Sequence, residues 1–358
     1  MENLKLIVMK NCWELGSKVN DHLKELLNTK EDLIIPIDEV RFNNGEGKIV
    51  IKESVRKKDI FLLSDVGNHS ITYKMYDYVN HKSPDDHYVD IIRTLCAIRN
   101  QASSTSLVMP LLYASRQHKR EGRESLDCAL ALQEFKHHGV SNIITFDVHD
   151  ANVQNAIPTS SFDNFYPTNI LLEKFITTED VENDNLLAVS PDNGALKRTR
   201  FYANMLGCEL GGHFEKHRDV YKIVDGKNPI LEHEYIGKDV LNKDILIVDD
   251  MIASGESMLD VARELKKRGA SRIYMFSSYA FFTKGLEVFD KAYEEGLFTK
   301  LFSTNLSYIS DEALKREWIS IADCSEYLAK IIYTYHIGGS VSPILTATSK
   351  VLEEFSKR

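Results

Sequence analysis

Short apolar runs alternate with longer amphipathic stretches along most of the chain. The runs have the length of β-strands: Leu33–Ile37, Ile60–Leu63, Leu107–Leu112, Ile143–Phe146, Leu186–Val189, Ile245–Val248, Ile273–Phe276 and Leu301–Phe302. In Gly255–Gly269 the apolar residues recur at helical spacing, and Gly269 suits the left-handed end of a helix. Alternation of buried strands with helices predicts an α/β fold with mostly parallel sheets flanked by helices.

A weak internal repeat predicts two similar domains. Residues 134–146 and 264–276 are identical at six of thirteen positions. A common helix–Gly–strand turn would also explain this match, and that alternative stays open. The polar stretch Thr159–Thr168 predicts the junction between the domains. A charged stretch with Gly and Pro, His213–Lys243, is too long for a simple connector and predicts a lid or a disordered insert.

Composition and charge narrow the possible functions. The 358 residues carry 44 Lys and Arg against 53 Asp and Glu, a net charge of −9. General nucleic-acid binding needs a basic surface, so this class is not expected. A local cationic pocket for a phosphorylated substrate remains possible at this charge.

The sequence also predicts a cytoplasmic protein without membrane spans. No apolar run approaches the roughly 20 residues that cross a bilayer, and Met1–Gly16 lacks the pattern of a secretory signal. The five cysteines are scattered and form no CxxC pair. Disulfides and a zinc site are therefore not expected, and a reducing compartment is.

The most informative motif is residues 244–258. A buried strand leads into Asp249 and Asp250, then into a turn of small residues and a helix. The free backbone N–H groups of Ala253–Ser257 and the positive end of the helix predict a phosphate site. The two aspartates suit sugar hydroxyls or a metal ion. An ordinary Asp-capped helix is the alternative.

Three further segments carry candidate chemistry. Asp192–Ala195 forms a strand–turn–helix pattern in which a glycine admits a diphosphate and Asp192 offers oxygen ligands to a metal. His149 follows a strand end and suits Mg²⁺ or phosphate, or has a purely structural role. Lys216 and Arg218 lie two positions apart in the irregular stretch, as a cationic lid or as a solvated loop.

The motif at 244–258 resembles the phosphoribosyl-diphosphate loop of type I phosphoribosyltransferases and of ribose-phosphate diphosphokinases (PRPP synthetases). Further segments, in the same order as in the diphosphokinases, resemble that family: Arg41–Glu46, Met109–His118, Phe146–His149, Ser190–Ala195, Lys216–Arg218, Thr304–Asn305 and Ser340–Ser342. The resemblance extends from about Ile35 to Ser342 and favours the diphosphokinases over the transferases.

The resemblance implies two type I phosphoribosyltransferase-like domains. The first would span residues 1–160 and be completed by 336–358, and the second, 161–335, would carry the ribose 5-phosphate loop. The implied reaction transfers the β,γ-diphosphate of ATP to the 1-hydroxyl of ribose 5-phosphate with Mg²⁺, giving PRPP and AMP. A type I phosphoribosyltransferase and a catalytically inactive regulatory paralogue are the alternatives.

The resemblance also implies roles for individual residues. The ATP-binding residues would be Phe42, Asn44, Glu46, Arg116, Gln117 and His118. The metal contacts would be His149 and Asp192, and the catalytic cations Lys216 and Arg218. Ribose 5-phosphate would contact Asp249, Asp250, Ala253, Ser254, Gly255, Glu256 and Ser257. The diphosphate loop would be Asn193, Gly194 and Ala195.

Several positions depart from the family pattern. Glu256 would repel a 5-phosphate, so we expect its side chain to point outward, where an acid suits the helix end. Asn44 and His118 each replace an aspartate, and Ala195 replaces a glycine. Tyr76–Asp90 contains extra residues. Phe42 offers a ring for adenine to stack on, although core packing is the alternative. The resemblance finally implies a homo-oligomer, a hexamer built from dimers, whose adenine site is shared between subunits.

Overall fold

The computed structural model describes residues 3–120, 122–218, 230–346 and 350–357. The strands in chain order are β1 (Leu4–Val8), β2 (Ile37–Arg41), β3 (Gly47–Ile51), β4 (Asp59–Leu63), β5 (Thr72–Met75), β6 (Tyr78–His81), β7 (Ser104–Val108), β8 (Asn142–Phe146), β9 (Ser161–Phe165), β10 (Leu186–Ser190), β11 (Glu209–Arg218), β12 (Ile230–Gly237), β13 (Asp244–Ile252), β14 (Ile273–Ala280), β15 (Lys300–Thr304) and β16 (Ile319–Ala322).

The helices in chain order are α1 (Trp13–Leu26), α2 (Pro84–Ile98), α3 (Asp127–His137), α4 (Thr168–Thr178), α5 (Leu196–Leu206), α6 (Glu256–Lys267), α7 (Glu287–Glu294), α8 (Asp311–Leu314), α9 (Ser325–His336), α10 (Ser342–Thr346) and α11 (Lys350–Phe355). Short 3-10 turns cover Lys10–Cys12, Ala151–Ala156 and Asn183–Asn185. No helix in the described ranges is both long and apolar enough to span a bilayer.

The chain divides into two compact units. The first consists of Met1–Pro167, Asn305–Tyr308 and Asp323–Ala347, and the second of Thr168–Thr304, Ile309–Ala322 and Thr348–Arg358.

The first unit is built on a parallel sheet in the order β1-β4-β7-β8-β9. Two antiparallel hairpins, β2–β3 and β5–β6, lie outside this sheet. Helix α9 packs against α1. Four of the strands are buried at nearly every consecutive position, so both faces of the sheet are covered.

The second unit is built on a sheet in the order β12-β11-β10-β13-β14-β15-β16. All of its pairs are parallel except β11–β12. Alternate residues of one strand enter different cores: Ile245 and Ile247 belong to one cluster, and Leu246 and Val248 to the other. The period of two therefore places one hydrophobic core on each face, and the predicted α/β class is confirmed.

The division of the chain differs from the predicted boundaries at 160/161 and 335/336. Strand β9 pairs with β8 and so completes the first sheet, and α9 also belongs to the first unit. The last residues belong to the second unit instead of the first: Leu352 and Phe355 are buried in a core of that unit, beside Leu171 and Leu172 of α4. The junction between Pro167 and Thr168 lies within the predicted polar stretch Thr159–Thr168, whereas apolar packing of the C-terminal segments sets the remaining boundaries.

The stretch His213–Lys243 is not irregular throughout. Strand β11 pairs antiparallel with β12 over Gly212–Arg218, and Phe214 is fully buried in the core. The expectation of a disordered insert is therefore wrong for these two strands, whereas the lid stays a prediction. Mostly polar side chains on a hairpin that extends one edge of the sheet leave little hydrophobic pattern to detect.

Candidate active site

Asp249 and Asp250 lie where one neighbour of β13 has ended. The pairing of β13 with β10 ends at Val189 and Ile247, whereas its pairing with β14 continues to Ile252. Both aspartates thus belong to the strand, and they lie beyond the last residue pair that β13 forms with β10, at the carboxyl edge of the sheet. That edge is where ligands bind in open parallel α/β sheets.

The carboxylates at this edge strongly affect one another. Burial, followed by the nearby carboxylates of Asp250 and Asp192, raises the pKa of Asp249 to about 8 in total, while Arg198 acts in the opposite direction. Backbone N–H groups partly satisfy the pair: Asp250 N donates to Asp249 Oδ1 and Met251 N to Asp250 Oδ1, each at 2.9 Å. A cluster of carboxylates at this edge suits a cation or the hydroxyl donors of a sugar.

The loop that follows β13 presents a helix N-terminus to the same edge. Thr283 N donates to Ala253 O at 2.9 Å, which holds the start of the loop. Gly255 caps α6 with φ +83°, and a Cβ there would lie 2.1 Å from Cζ of the buried Phe289. Only glycine fits this cap. The first N–H groups of α6 have no acceptor within the helix, so they are available to an anion.

Within this loop, Ser254 is partly buried, whereas Ser257 is exposed. Glu256 begins α6 with a side chain that is 58% exposed and forms an ion pair of 2.6 Å with Lys284. The prediction that Glu256 points outward is confirmed. Its charge is countered by the ammonium of Lys284.

A second turn lies between β10 and α5. Ser190 Oγ donates to Asp192 O at 2.7 Å, and Ala195 N donates to Asp192 Oδ1 at 3.0 Å. A Cβ on Gly194 would lie 3.2 Å from Asp192 Oδ1, so the glycine leaves room for the carboxylate. Ala195 has right-handed helical dihedrals and a buried methyl group. Its backbone therefore does not require the glycine of the family pattern.

Arg198 is a site residue that the sequence reasoning missed. It lies in the first turn of α5, and its positive charge lowers the pKa of Asp249. A cation just after a presumed diphosphate turn is a signal that the sequence does contain.

The cations Lys216 and Arg218 lie on β11, opposite His233 and Ile230 of β12. They are thus strand residues, whereas the sequence placed them in an irregular segment. Their side chains, and residues 219–229 of the expected lid, lie outside the described part of the structure.

In the first unit, the β2–β3 turn presents Phe42. Its side chain is 47% exposed, so the core-packing alternative does not hold. The turn is closed by Phe42 N to Glu46 O and by Gly45 N to Phe42 O, both at 2.8 Å. Asn44 Nδ2 donates to Glu46 Oε2 at 2.8 Å, so these two side chains order each other. An exposed ring beside a polar pair suits a nucleobase.

The loops after β7 and β8 carry the remaining predicted residues of this unit. Gln117 N donates to Ala114 O at 2.8 Å, and Arg116 is exposed. The rings of His118 and His149 are 5.3 Å apart, and His118 Nε2 lies 3.5 Å from Asp150 Oδ2. Strands β7 and β8 are neighbours, which brings the two histidines together.

The donors present fit a magnesium ion that is bound partly by substrate. In the described residues, no three His, Cys, Asp or Glu side chains converge on one point as a complete protein-only metal site. Mg²⁺ usually takes only one or two carboxylates from the protein and its other ligands from water and phosphates. Asp192 offers such a carboxylate, close enough to Asp249 to raise the pKa of that carboxyl.

Comparison with known proteins identifies the family of both parts of the chain. Residues 4–139 match the N-terminal domain of ribose phosphate pyrophosphokinase, and residues 170–294 match the phosphoribosyl transferase domain. A ribose-phosphate pyrophosphokinase of Mycoplasmopsis pulmonis is 26% identical over 96% of this chain and 97% of its own length. One from Synechococcus elongatus is 26% identical over 86% of this chain and 85% of its own.

A solved structure shares the fold. The crystal structure of phosphoribosylpyrophosphate synthetase from Mycobacterium smegmatis superposes with a TM-score of 0.76 at 20% identity, over 94% of this chain and 100% of that one. Both units, in the expected order, thus have their counterparts in one kind of enzyme. The chain is an enzyme of the ribose-phosphate pyrophosphokinase (ribose-phosphate diphosphokinase) family.

Proposed function

We propose that the protein transfers the β,γ-diphosphate of ATP to the 1-hydroxyl of ribose 5-phosphate, giving PRPP and AMP. The observation that carries this proposal is the edge of the second sheet. There the N-terminus of α6 and the carboxylates of Asp249 and Asp250 lie side by side. One end suits a phosphate and the other suits sugar hydroxyls, as ribose 5-phosphate requires.

The 5-phosphate would bind the backbone N–H groups and hydroxyls of the loop formed by Ala253, Ser254, Gly255, Glu256 and Ser257. Asp249 and Asp250 would accept hydrogen bonds from the ribose hydroxyls and so orient the 1-hydroxyl. In the transfer, the oxygen of the 1-hydroxyl forms a bond to the β-phosphorus. The bond from that phosphorus to the α,β-bridging oxygen breaks, AMP leaves with the electron pair, and the hydroxyl proton is lost to solvent.

The chain's contribution to the transfer is positioning and charge. Asn193, Gly194 and Ala195 would hold the transferred diphosphate, while Lys216 and Arg218 would stabilise the negative oxygens that develop in the transition state. Mg²⁺, with Asp192 and His149 as its proposed protein contacts, would supply neutralisation of the phosphate charge. No covalent enzyme intermediate is needed.

ATP would be recognised by residues of the first unit. The ring of Phe42 would stack on adenine, and Asn44 and Glu46 would contact the edge of the base. Arg116, Gln117 and His118 complete the proposed set. The five free cysteines support the predicted reducing cytoplasm as the place of action.

We also propose a homo-oligomer, a hexamer built from dimers, with the adenine site shared between neighbouring subunits. Phe42→Ala and Lys216→Ala should each be nearly inactive alone. When the two are unfolded and refolded together, about a quarter of sites should contain both intact residues, because each comes from a different chain. Mixed oligomers that stay inactive would place the site within one chain.

The direct test is product analysis. Purified protein is incubated with ribose 5-phosphate, ATP and Mg²⁺, and nucleotides and PRPP are separated by chromatography. Equal amounts of AMP and PRPP support the proposal, whereas ADP and free phosphate contradict it. In a separate incubation with PRPP and a nucleobase, consumption of PRPP with release of diphosphate would identify a phosphoribosyltransferase. Substrate binding without any product would identify an inactive paralogue.

A further inference from the structure

The hairpin β5–β6 lies directly against the turn that carries Phe42. Tyr76 N donates to Asn43 O at 3.0 Å, so the tip of the hairpin is bonded to the turn through the backbone. A Cβ on Gly45 would lie 2.6 Å from the sulfur of Met75, so the two elements are in close contact. This hairpin overlaps the extra residues Tyr76–Asp90, for which the family resemblance offers no role.

Arg41 joins the hairpin to the base of the same turn. Its guanidinium carbon lies 4.9 Å from the centroid of the Tyr73 ring, a cation–π contact. Its Nη1 donates to Gly45 O at 3.1 Å, and its Nη2 donates to Asp90 Oδ2 at 2.9 Å. Arg41 therefore contacts the turn, the hairpin and helix α2 at once.

Lys82, just after the hairpin, completes a buried network of charges. Its Nζ lies 2.9 Å from Glu39 Oε2 and 2.8 Å from Asp90 Oδ2, and the three side chains are only 3–5% exposed. Arg93 Nη1 donates to the other oxygen of Asp90 at 2.7 Å. Glu39 belongs to β2 and Asp90 to α2, so Lys82 ties the strand before the turn to the helix beneath it.

Besides these outside contacts, the turn is held by its own two backbone hydrogen bonds, Phe42 N to Glu46 O and Gly45 N to Phe42 O. Phe42 is half exposed, Asn44 and Glu46 mainly contact each other, and Gly45 has φ +91°, a conformation that glycine adopts at low cost. A free turn of this kind samples several conformations, and ordering it on binding would weaken affinity. Neighbouring contacts that hold the turn in one conformation remove that cost.

We propose that the β5–β6 hairpin and Lys82 are positioning elements of the nucleotide site, holding the turn at 42–46 so that the Phe42 ring is ready to receive a purine base. This inference rests on the proposed function, since it concerns the same ATP site. The hairpin and Lys82 touch no reacting atom. Their loss should therefore weaken ATP binding and leave the transfer step intact.

The experiment compares matched pairs of variants. Lys82→Met removes the cation and Lys82→Arg keeps it, while Tyr73→Leu removes the ring over Arg41 and Tyr73→Phe keeps it. Tyr78→Ser is the control within the hairpin, because Tyr78 is 74% exposed. The readouts are kcat, KM for each substrate, and the Kd of a non-transferable ATP analogue by calorimetry, with circular dichroism to confirm folding.

We expect Lys82→Met and Tyr73→Leu to raise the KM for ATP and the Kd of the analogue by about tenfold, equivalent to about 1.4 kcal/mol. The kcat and the KM for ribose 5-phosphate should stay within about threefold of the wild type, a difference below 1 kcal/mol. Lys82→Arg and Tyr73→Phe should recover most of the affinity, and Tyr78→Ser should behave as the wild type.

Folded variants that bind the analogue as tightly as the wild type would overturn the inference. So would an equal loss of kcat and of affinity for both substrates, which indicates a general structural role. If Lys82→Met does not fold, Tyr73→Leu decides. A wild-type protein that does not bind the analogue would instead remove the proposed function, and with it this inference.

Discussion

The carboxylate of Glu256 lies 2.6 Å from the ammonium of Lys284, on the outer side of the first turn of α6. Both side chains are more than half exposed, so the pair contributes at most about 1 kcal/mol to stability. We expect Glu256→Gln to change the KM for ribose 5-phosphate by less than about tenfold, or about 1.4 kcal/mol. Steady-state kinetics with varied ribose 5-phosphate checks this.

Lys284→Met is the companion variant, because it leaves Glu256 without its cation and should raise that KM slightly. An improvement of well over tenfold in Glu256→Gln would mean that the carboxylate repels the phosphate. The inactive-paralogue alternative would then gain support.

Gly255 has no side chain because the cap of α6 has no room for one. Gly255→Ala would combine a left-handed backbone with a Cβ 2.1 Å from Phe289 Cζ. We expect a loss of about 2–4 kcal/mol of unfolding free energy from strain and overpacking, and loss of ribose 5-phosphate binding as the helix end shifts. Urea denaturation and calorimetry measure the two effects.

Gly296→Ala is the matched control. Gly296 has φ +68°, with nothing within 4 Å of the added Cβ. Strain alone predicts a loss of about 1 kcal/mol and normal binding. Equal effects of the two substitutions would show that the contact with Phe289 is unimportant.

The raised pKa of Asp249 predicts that the free energy of unfolding depends on pH. Burial raises its pKa to about 8, helped by Asp250 and Asp192. In the unfolded chain this carboxyl has a pKa of about 3.9. Between about pH 4 and 8 the folded state therefore binds more protons at this site than the unfolded state does. The free energy of unfolding attributable to Asp249 therefore falls as pH rises through this range. Asp249→Asn should remove this component, as measured by urea denaturation at several pH values.

Asp65 also makes the free energy of unfolding depend on pH, which limits the pH range in which the effect of Asp249 can be measured separately. Burial raises the pKa of Asp65 to about 6, although Ser307 Oγ and Tyr308 N donate to it at 3.0 and 2.9 Å. Its contribution has the same sign but ends near pH 6, so the comparison belongs between about pH 6.5 and 8. Parallel curves for wild type and Asp249→Asn in that window would contradict the raised pKa.

Arg218 should matter for turnover more than for binding. Loss of a charged donor to transition-state oxygens costs about 3–4 kcal/mol, so Arg218→Ala should lower kcat by about 10²–10³ with the KM for ribose 5-phosphate nearly unchanged. Lys238→Ala is the control, because Lys238 follows the same hairpin but pairs with Glu209 on an exposed surface. Wild-type turnover in Arg218→Ala would mean that the cation is merely solvated.

Much of the fold follows from local hydrophobic pattern, and the exceptions have local causes. The run Leu33–Ile37 predicted a strand, but only Ile34 bridges to Leu6, and β2 begins at Ile37. Pro36 interrupts the run and has no N–H to donate, which explains the shift. The turn before α6 was predictable because it depends on small residues that are adjacent in sequence, and its role in phosphate binding stays a prediction.

Features built from distant residues were not predictable in this way. The pKa of Asp249 depends on Asp192, which lies far away in sequence and reaches it only because β10 and β13 are neighbours. Likewise, Lys82 reaches Glu39 only because the β2–β3 hairpin packs against α2, which Lys82 precedes in the chain. Charge pairs of this kind leave no periodic signal in the sequence.

The central claim is that the diphosphate moves as one unit from ATP to ribose 5-phosphate. ATP labelled at the β-phosphate tests it most directly, with ATP labelled at the α-phosphate in a parallel reaction. We predict that the β-label appears in PRPP, that the α-label appears only in AMP, and that the two products form in equal amounts. Appearance of the β-label in ADP or in free diphosphate, with no labelled PRPP, would contradict the account.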